Sequence, residues 1–259
     1  MKAAIKISSK DNSNIKAISL LQKSSKKRRE EGVFVLEGLR LCLDAVENGY
    51  IPEKVFYSPN ALKKNPEIIE KFETALEIFE VADNIFTKIS DTVNPQGILC
   101  TFKFPDKNND ILSSSGKYIA LENIQDPSNL GAISRTAEAF GIDGLILEEC
   151  CDPFSSKSVR ASMGALLRIP VIETENMFEL FNKHSLSVYA SVVKNCSKKI
   201  NDISFKDGSV VIIGNEANGV SEAAISKSKD AFTIPMSGKA ESLNAAVAAS
   251  IIIWEMCKC

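Results

Sequence analysis

The feature that most constrains this chain is the series of short apolar runs that begins at Tyr118 and recurs to the C-terminus. Residues 118–121, 145–147, 171–172, 187–193, 210–213 and 232–234 are too short for stable helices and are predicted as strands. Between and after them, residues 130–140, 155–166, 176–183 and 242–256 carry helical patterning. Strands and helices in that alternation predict an α/β fold, a mostly parallel sheet with helices on both faces. In such sheets ligands collect at the C-terminal ends of the strands.

The first half is a smaller α/β module. A helical segment at 15–29 precedes a strand at 33–36 and a helix at 38–48. A strand at 54–57, a helix near 66–76 and strands at 78–81 and 97–104 complete it. Between the halves the text PDKNNDILSSSG has no periodicity and reads as a linker. The expected domains are 1–105 and 117–259, joined by a linker at 106–116.

Composition narrows the chemistry. Seven cysteines, an odd number with no CxxC pair, argue against a disulfide framework or a zinc site and for a reducing, cytoplasmic setting. No metal site is expected. No apolar run reaches the length of a membrane span. The sole histidine, His184, lies in a polar Asn-Lys-His-Ser stretch and reads as a solvated helix end, which excludes most His-dependent mechanisms. A formal charge of −2 does not announce a nucleic-acid binder. Residues 1–32 do hold a basic cluster, Lys2, Lys6, Lys10, Lys16, Lys23, Lys26, Lys27, Arg28 and Arg29, read either as a phosphate footprint or as a solvated tail.

Three loops at three strand ends carry the functional signal. The first, Asn123-Ile124-Gln125-Asp126-Pro127-Ser128-Asn129, enters a helix that carries Arg135, so Asn129 and Arg135 are expected to project toward one ligand. The second, Gly214-Asn215-Glu216-Ala217-Asn218-Gly219, follows a buried strand. It lacks both the Walker ending and the GxGxxG of a dinucleotide fold. There Gly214 is expected to let a ligand approach the backbone, and Glu216 is a candidate polar group. The third runs from Ile234-Pro235-Met236 through Ser237-Gly238-Lys239 to Ser242, Leu243 and Asn244, and opens a helix of small side chains.

Read together as NIQDPSNLGAISRTAEAFG, VIIGNEANGVS and IPMSGKAESLNAAVAASI, the loops resemble the motifs of the SpoU/TrmH family of SPOUT RNA 2′-O-ribose methyltransferases. The first half, through FVLEGLRLCLDAVENGYIPEKVFYS and NPQGILCTF, is similar to that family's L30e-like substrate-binding domain. The resemblance implies a C-terminal trefoil knot, an exception to the rule that chains avoid knots. It also implies S-adenosylmethionine as cofactor, a homodimer with the active site at the subunit interface, and an RNA substrate, rRNA in preference to tRNA. Asn129, Arg135, Glu216, Ser242 and Asn244 match the catalytic and structural polar positions. Gly214, Ile234, Met236 and Leu243 match the cofactor pocket, where family contacts are largely to the backbone.

A guanidinium holds its proton in proteins, so Arg135 is expected to grip a phosphate and stabilise charge on the 2′-oxygen, in preference to acting as the base the family accounts describe. The competing readings are a tRNA 2′-O-methyltransferase, a non-catalytic RNA-binding protein on the same fold, and a nucleotide-dependent oxidoreductase, the last disfavoured by the missing GxGxxG.

Overall fold

A computed structural model describes residues 4–105, 112–193 and 198–258. Contacts divide the chain into two compact units: Met1–Asp106 with Phe154–Arg160, and Lys107–Pro153 with Ala161–Cys259. The segment 106–111 of the expected linker lies outside the described residues, as do Lys2 and Cys259.

The first unit is built on a five-stranded sheet of order β1-β4-β3-β5-β2, formed by β1 (Ile5–Ile7), β2 (Val33–Glu37), β3 (Pro52–Tyr57), β4 (Glu77–Val81) and β5 (Ile98–Lys103). β5 pairs antiparallel with β2 and β3, whereas β4 runs parallel to β3 and β1. Three residues centred on a lysine gave β1 too little pattern to be expected. The helix predicted at 15–29 is two helices, α1 (Ser13–Lys23) and α2 (Ser25–Glu31). Ser24 breaks it because its backbone is extended and its hydroxyl accepts from Lys27 N–H, an N-cap in place of a helical turn.

That break settles the basic cluster, which is not a tail over its described residues. Arg28 is buried and donates to the Leu21 and Gln22 carbonyls at the end of α1. Lys16, Lys26 and Lys27 pair with Asp11, Glu30 and Glu31 on their own helices or the turn before them. The helix α3 (Leu39–Glu47) matches its prediction within a residue at each end, but the helix expected at 66–76 is replaced by α4 (Pro59–Lys64) and α5 (Ile68–Lys71). Ser58 caps α4 and Pro59 opens it. The short α6 (Asp83–Ile89) follows β4.

The second unit holds six strands in the order β11-β9-β10-β6-β7-β8, every pair parallel. They are β6 (Tyr118–Glu122), β7 (Gly144–Glu148), β8 (Val171–Thr174), β9 (Ser187–Ser191), β10 (Ser209–Gly214) and β11 (Asp230–Phe232). β6, β7 and β10 are buried almost end to end, which is why they read as unbroken apolar runs. One face packs against α7 (Pro127–Ala139) and α11 (Ala245–Cys257) through Ile119, Leu121, Ile133, Val211, Ile213 and Ile252. The other packs against α9 (Met177–Lys183) and α10 (Glu222–Lys227) through Ala120, Ile212, Met177, Phe181 and Ala224.

Two helix ends differ from expectation for local reasons. The helix expected at 155–166 is α8 (Ser156–Ala161), stopped where Met163 and Gly164 take left-handed backbone, φ 52° and 84°. A single 3-10 turn (Ala165–Leu167) follows. The last helix begins at Ala245 and not at Ser242, because the Asn244 side chain accepts from Ala246 and Val247 N–H and caps it. His184 caps the C-terminal end of α9 as expected, but it is not solvated: it is half-buried and its Nε2 is enclosed without a hydrogen-bond partner among the described residues.

Candidate active site

Strand order in the second unit places the site. From β6 the chain steps outward to β7 and β8, then returns to β9, β10 and β11 on the other side of β6. The reversal falls between β6 and β10, which lie side by side with Gly214 in register with Glu122. A crevice at such a switch point, beyond the carboxyl ends of the strands, is where open parallel sheets hold their ligands. The first and second loops leave these two strands.

Three predicted residues meet there. Asn129, buried in the first turn of α7, donates through its side-chain amide to the Glu216 carboxylate. Its carbonyl oxygen accepts from Asn244 Nδ2 at 3.0 Å. Asn244 is the N-cap of α11, so one amide side chain ties α7, the loop after β10 and the start of α11 together. Every atom of the chain has one compatible role: Glu216 accepts, Asn129 donates and accepts, and Asn244 donates to it while capping.

Arg135 does not join them. At 3.6 residues per turn, Asn129 and Arg135 lie about 120° apart around α7. Asn129 is on the α11 flank, where Thr136 and Ser250 hydroxyls also meet at 3.3 Å. Arg135 shares the opposite flank with Gly131 and Glu138. A Cβ on Gly131 would fall 2.4 Å from Ala161 Cβ, and Glu138 accepts from Arg168 Nε at 3.0 Å. Arg135 is exposed and has no hydrogen bond or ion pair among the described residues. Within one chain it therefore faces away from the asparagine it was expected to accompany. Ser242 is likewise exposed.

The loop between β10 and α10 is closed on itself. Asn215 Oδ1 accepts from Ala217 and Asn218 N–H at 3.1 and 2.7 Å, and Asn215 O accepts from Gly219 N–H at 3.0 Å. A Cβ on Gly214 would sit 2.0 Å from the Gly219 carbonyl. Gly214 is thus required by its own loop, and the space expected to admit a ligand at its Cα is filled by Gly219. Sequence reasoning missed the anchor of this loop. The Glu122 carboxylate accepts from Ser221 N–H at 2.8 Å and Ser221 Oγ at 2.7 Å. A serine immediately ahead of Glu222-Ala223-Ala224 was the signal, since Ser221 caps α10. Beside it Glu148 accepts from Met177 N–H at 2.6 Å. Burial, with the charges of Glu122 and Glu149, raises the Glu148 carboxyl above its ordinary value against the lowering effect of that hydrogen bond.

The loop after β11 is open. From Ile234 to Leu243 no backbone N–H or carbonyl makes a hydrogen bond among the described residues. Ile234 and Leu243 are half-buried, with Ile234 packed on the core below, and Met236 is more exposed. Apolar walls beside unspent peptide groups fit a purine nucleoside held through the main chain, the donor set expected for the cofactor. The half-buried Cys150, beyond β7, has its thiol pushed by burial up to about 12, so it is no nucleophile. Among the described residues no three His, Cys, Asp or Glu side chains gather as a metal site requires, and no helix is long and apolar enough to cross a membrane.

Comparison with known proteins gives the family and the fold. Residues 116–254 match the SpoU rRNA methylase family and residues 12–100 the MRM3-like substrate binding domain. The chain is 28% identical to the 23S rRNA (guanosine(2553)-2′-O)-methyltransferase RlmP of Bacillus subtilis, over 90% of this chain and 92% of that one. Its fold superposes on the AdoMet-bound rRNA methyltransferase from Sinorhizobium meliloti with TM-score 0.87, at 29% identity over 98% and 97% of the two chains. The SpoU methyltransferase AviRb from Streptomyces viridochromogenes, in complex with AdoMet, gives 0.83 at 25% identity, over 95% and 97%. With more than half its length inside the family match and the fold of its solved members, the chain belongs to the SpoU rRNA methylase family.

Proposed function

We propose that this protein transfers a methyl group from S-adenosylmethionine to a ribose 2′-hydroxyl of rRNA. The observation that carries the reading is the Asn129–Glu216–Asn244 cluster, set at the sheet's switch point on the same unit as the unspent backbone of residues 234–243. When bound, the cofactor supplies the electrophilic methyl on a sulfonium, so the chain's own task is to orient and activate a weak nucleophile. Peptide groups of 234–243 and the side chains of Ile234, Met236 and Leu243 hold it. Gly214 shapes the adjoining wall by letting the second loop close. Asn129, Glu216 and Asn244 fix that wall, and Ser242 offers a hydroxyl to the ribose. Arg135 takes the neighbouring phosphate and stabilises negative charge developing on the 2′-oxygen.

The outward aim of Arg135 supports a homodimer whose site is completed between two copies. An apolar stripe on α11 supports it too. Val247, Ile251 and Trp254, spaced i, i+4 and i+7, are 49%, 37% and 57% exposed, and the Phe140 ring meets Trp254 edge-on at 5.6 Å. A helix apolar all round is normally covered on every side. The trefoil knot and an RNA-binding role for a domain spanning residues 1–105 belong to the same reading. So does a cytoplasmic location, which the free thiols of Cys42, Cys100, Cys150, Cys151 and Cys257 suit.

The test is to incubate the purified protein with tritiated cofactor and total RNA from a strain lacking the gene, then map the label. Label on a ribose of rRNA is expected. Label on a base, or in the tRNA fraction, overturns the assignment of position or of substrate. Arg135→Lys, which keeps the charge but loses the fork, should cut turnover at least about a hundredfold while isothermal titration shows unchanged cofactor binding.

A further inference from the structure

Four described non-glycine residues take left-handed backbone: Asn123, Glu149, Met163 and Ser185. The first two are explained locally, since Gln125 Nε2 donates at 2.6 Å to both Asn123 Oδ1 and the Glu149 carbonyl. Ser185 closes the turn after α9. Met163 is different. It is apolar, 52% exposed, and unbranched at Cβ, and its side chain satisfies nothing in the fold. The turn around it is nevertheless locked. Ala165 N–H donates to the Ser162 carbonyl at 3.1 Å, Leu167 N–H to Gly164 at 2.9 Å, and Ser162 is fully buried. A strained conformation maintained by its surroundings points toward use of the side chain it presents.

Its position gives that use. The flank of α7 bearing Gly131, Arg135 and Glu138 runs along residues 161–168, touching Ala161 at one end and Arg168 at the other. Arg135 lies on this flank, four residues after Gly131 and three before Glu138, and Met163 belongs to the segment that the flank meets. An exposed guanidinium on one element and an exposed, polarisable thioether on the segment packed along it are suited to one nucleotide, the cation to its phosphate and the sulfur to its base.

We propose that Met163 is a specificity-determining residue that packs against the base of the nucleotide whose phosphate Arg135 grips. The inference rests on the RNA methyltransferase reading. Glycine is the informative replacement, because it suits the left-handed backbone and the turn should fold at least as well. For the full-length protein and unmodified rRNA transcribed in vitro, Met163→Gly should raise both the KM and the cofactor-free Kd for RNA about fivefold to tenfold. Met163→Leu should restore most of that affinity, and kcat, cofactor binding and thermal midpoint should stay with the wild type. RNA affinity unchanged in Met163→Gly overturns the proposal, as does loss of the wild-type oligomeric state in that variant, which would make Met163 an interface residue. Failure of the wild type to bind or methylate RNA would instead sink the function on which the proposal stands.

Discussion

Between Asn215 and Gly219 the backbone folds onto itself, its amides taken by Asn215 and its first glycine covered by its last. From Ile234 to Leu243 no backbone group makes a hydrogen bond among the described residues. Both loops leave strands of one sheet, and both were read from sequence as parts of one pocket. The first is a finished wall whose shape precedes any ligand. The second has its complement of donors and acceptors still to be met. Preorganisation and adaptability are thus divided between neighbouring segments instead of being blended in each.

The sharpest way to break this contrast is a pair of identical substitutions. Gly214→Ala places a Cβ 2.0 Å from a carbonyl that cannot move without opening the loop. It should cost about 3 kcal/mol in thermal or denaturant unfolding. Gly238→Ala, whose Cβ meets nothing within 4 Å, should stay within about 0.5 kcal/mol. Equal losses would mean that both loops are equally built. Hydrogen exchange asks the same question of the ligand. Saturating S-adenosylmethionine should slow amides of 234–243 at least about tenfold, roughly 1.4 kcal/mol of added protection. Amides of 215–219 should change little, and the reverse pattern would refute the division.

A third measurement concerns the residue that joins the loops. Asn244→Ala removes the cap of α11 and should destabilise the protein by about 1 kcal/mol. Asn244→Ser should recover most of that loss while leaving Asn129 without its donor, so stability returns but methylation does not. Activity restored by serine would reduce Asn244 to a cap. The smallest effect is expected from Glu122→Gln, which weakens a charge-assisted clamp on Ser221 by about 0.5 kcal/mol. It should show as faster exchange confined to the closed loop.

The sheet of the second unit was legible because burial on both faces forces apolar side chains at consecutive positions, as in Val210–Ile213. Elements with weaker composition were not. β1 is three residues with a lysine at its centre, and α10 is a six-residue helix fixed by Ser221 and Glu122, a partner 99 positions away. Of the polar site residues, sequence order identified Asn129, Glu216 and Asn244 but could not say that one amide joins them. That Arg135 leaves α7 on another flank than Asn129 was legible in their six-residue spacing, about 120° around a helix, whereas which flank meets α11 was not. Arg28 was counted among exposed cations since nothing in the run of lysines around it reveals that α2 turns it onto the end of α1.

The ten unspent peptide units of 234–243 have an evolutionary corollary. Recognition conducted through the main chain is indifferent to most side-chain identities. Exchanges at Ser237, Lys239, Ala240 or Glu241 should therefore drift freely among homologues without eroding donor affinity. Proline is the exception, because it deletes an N–H wherever it enters. A saturation scan of this stretch would then show tolerance nearly everywhere, interrupted by proline at those positions whose amide the methyl donor engages, and so trace the nucleoside's outline.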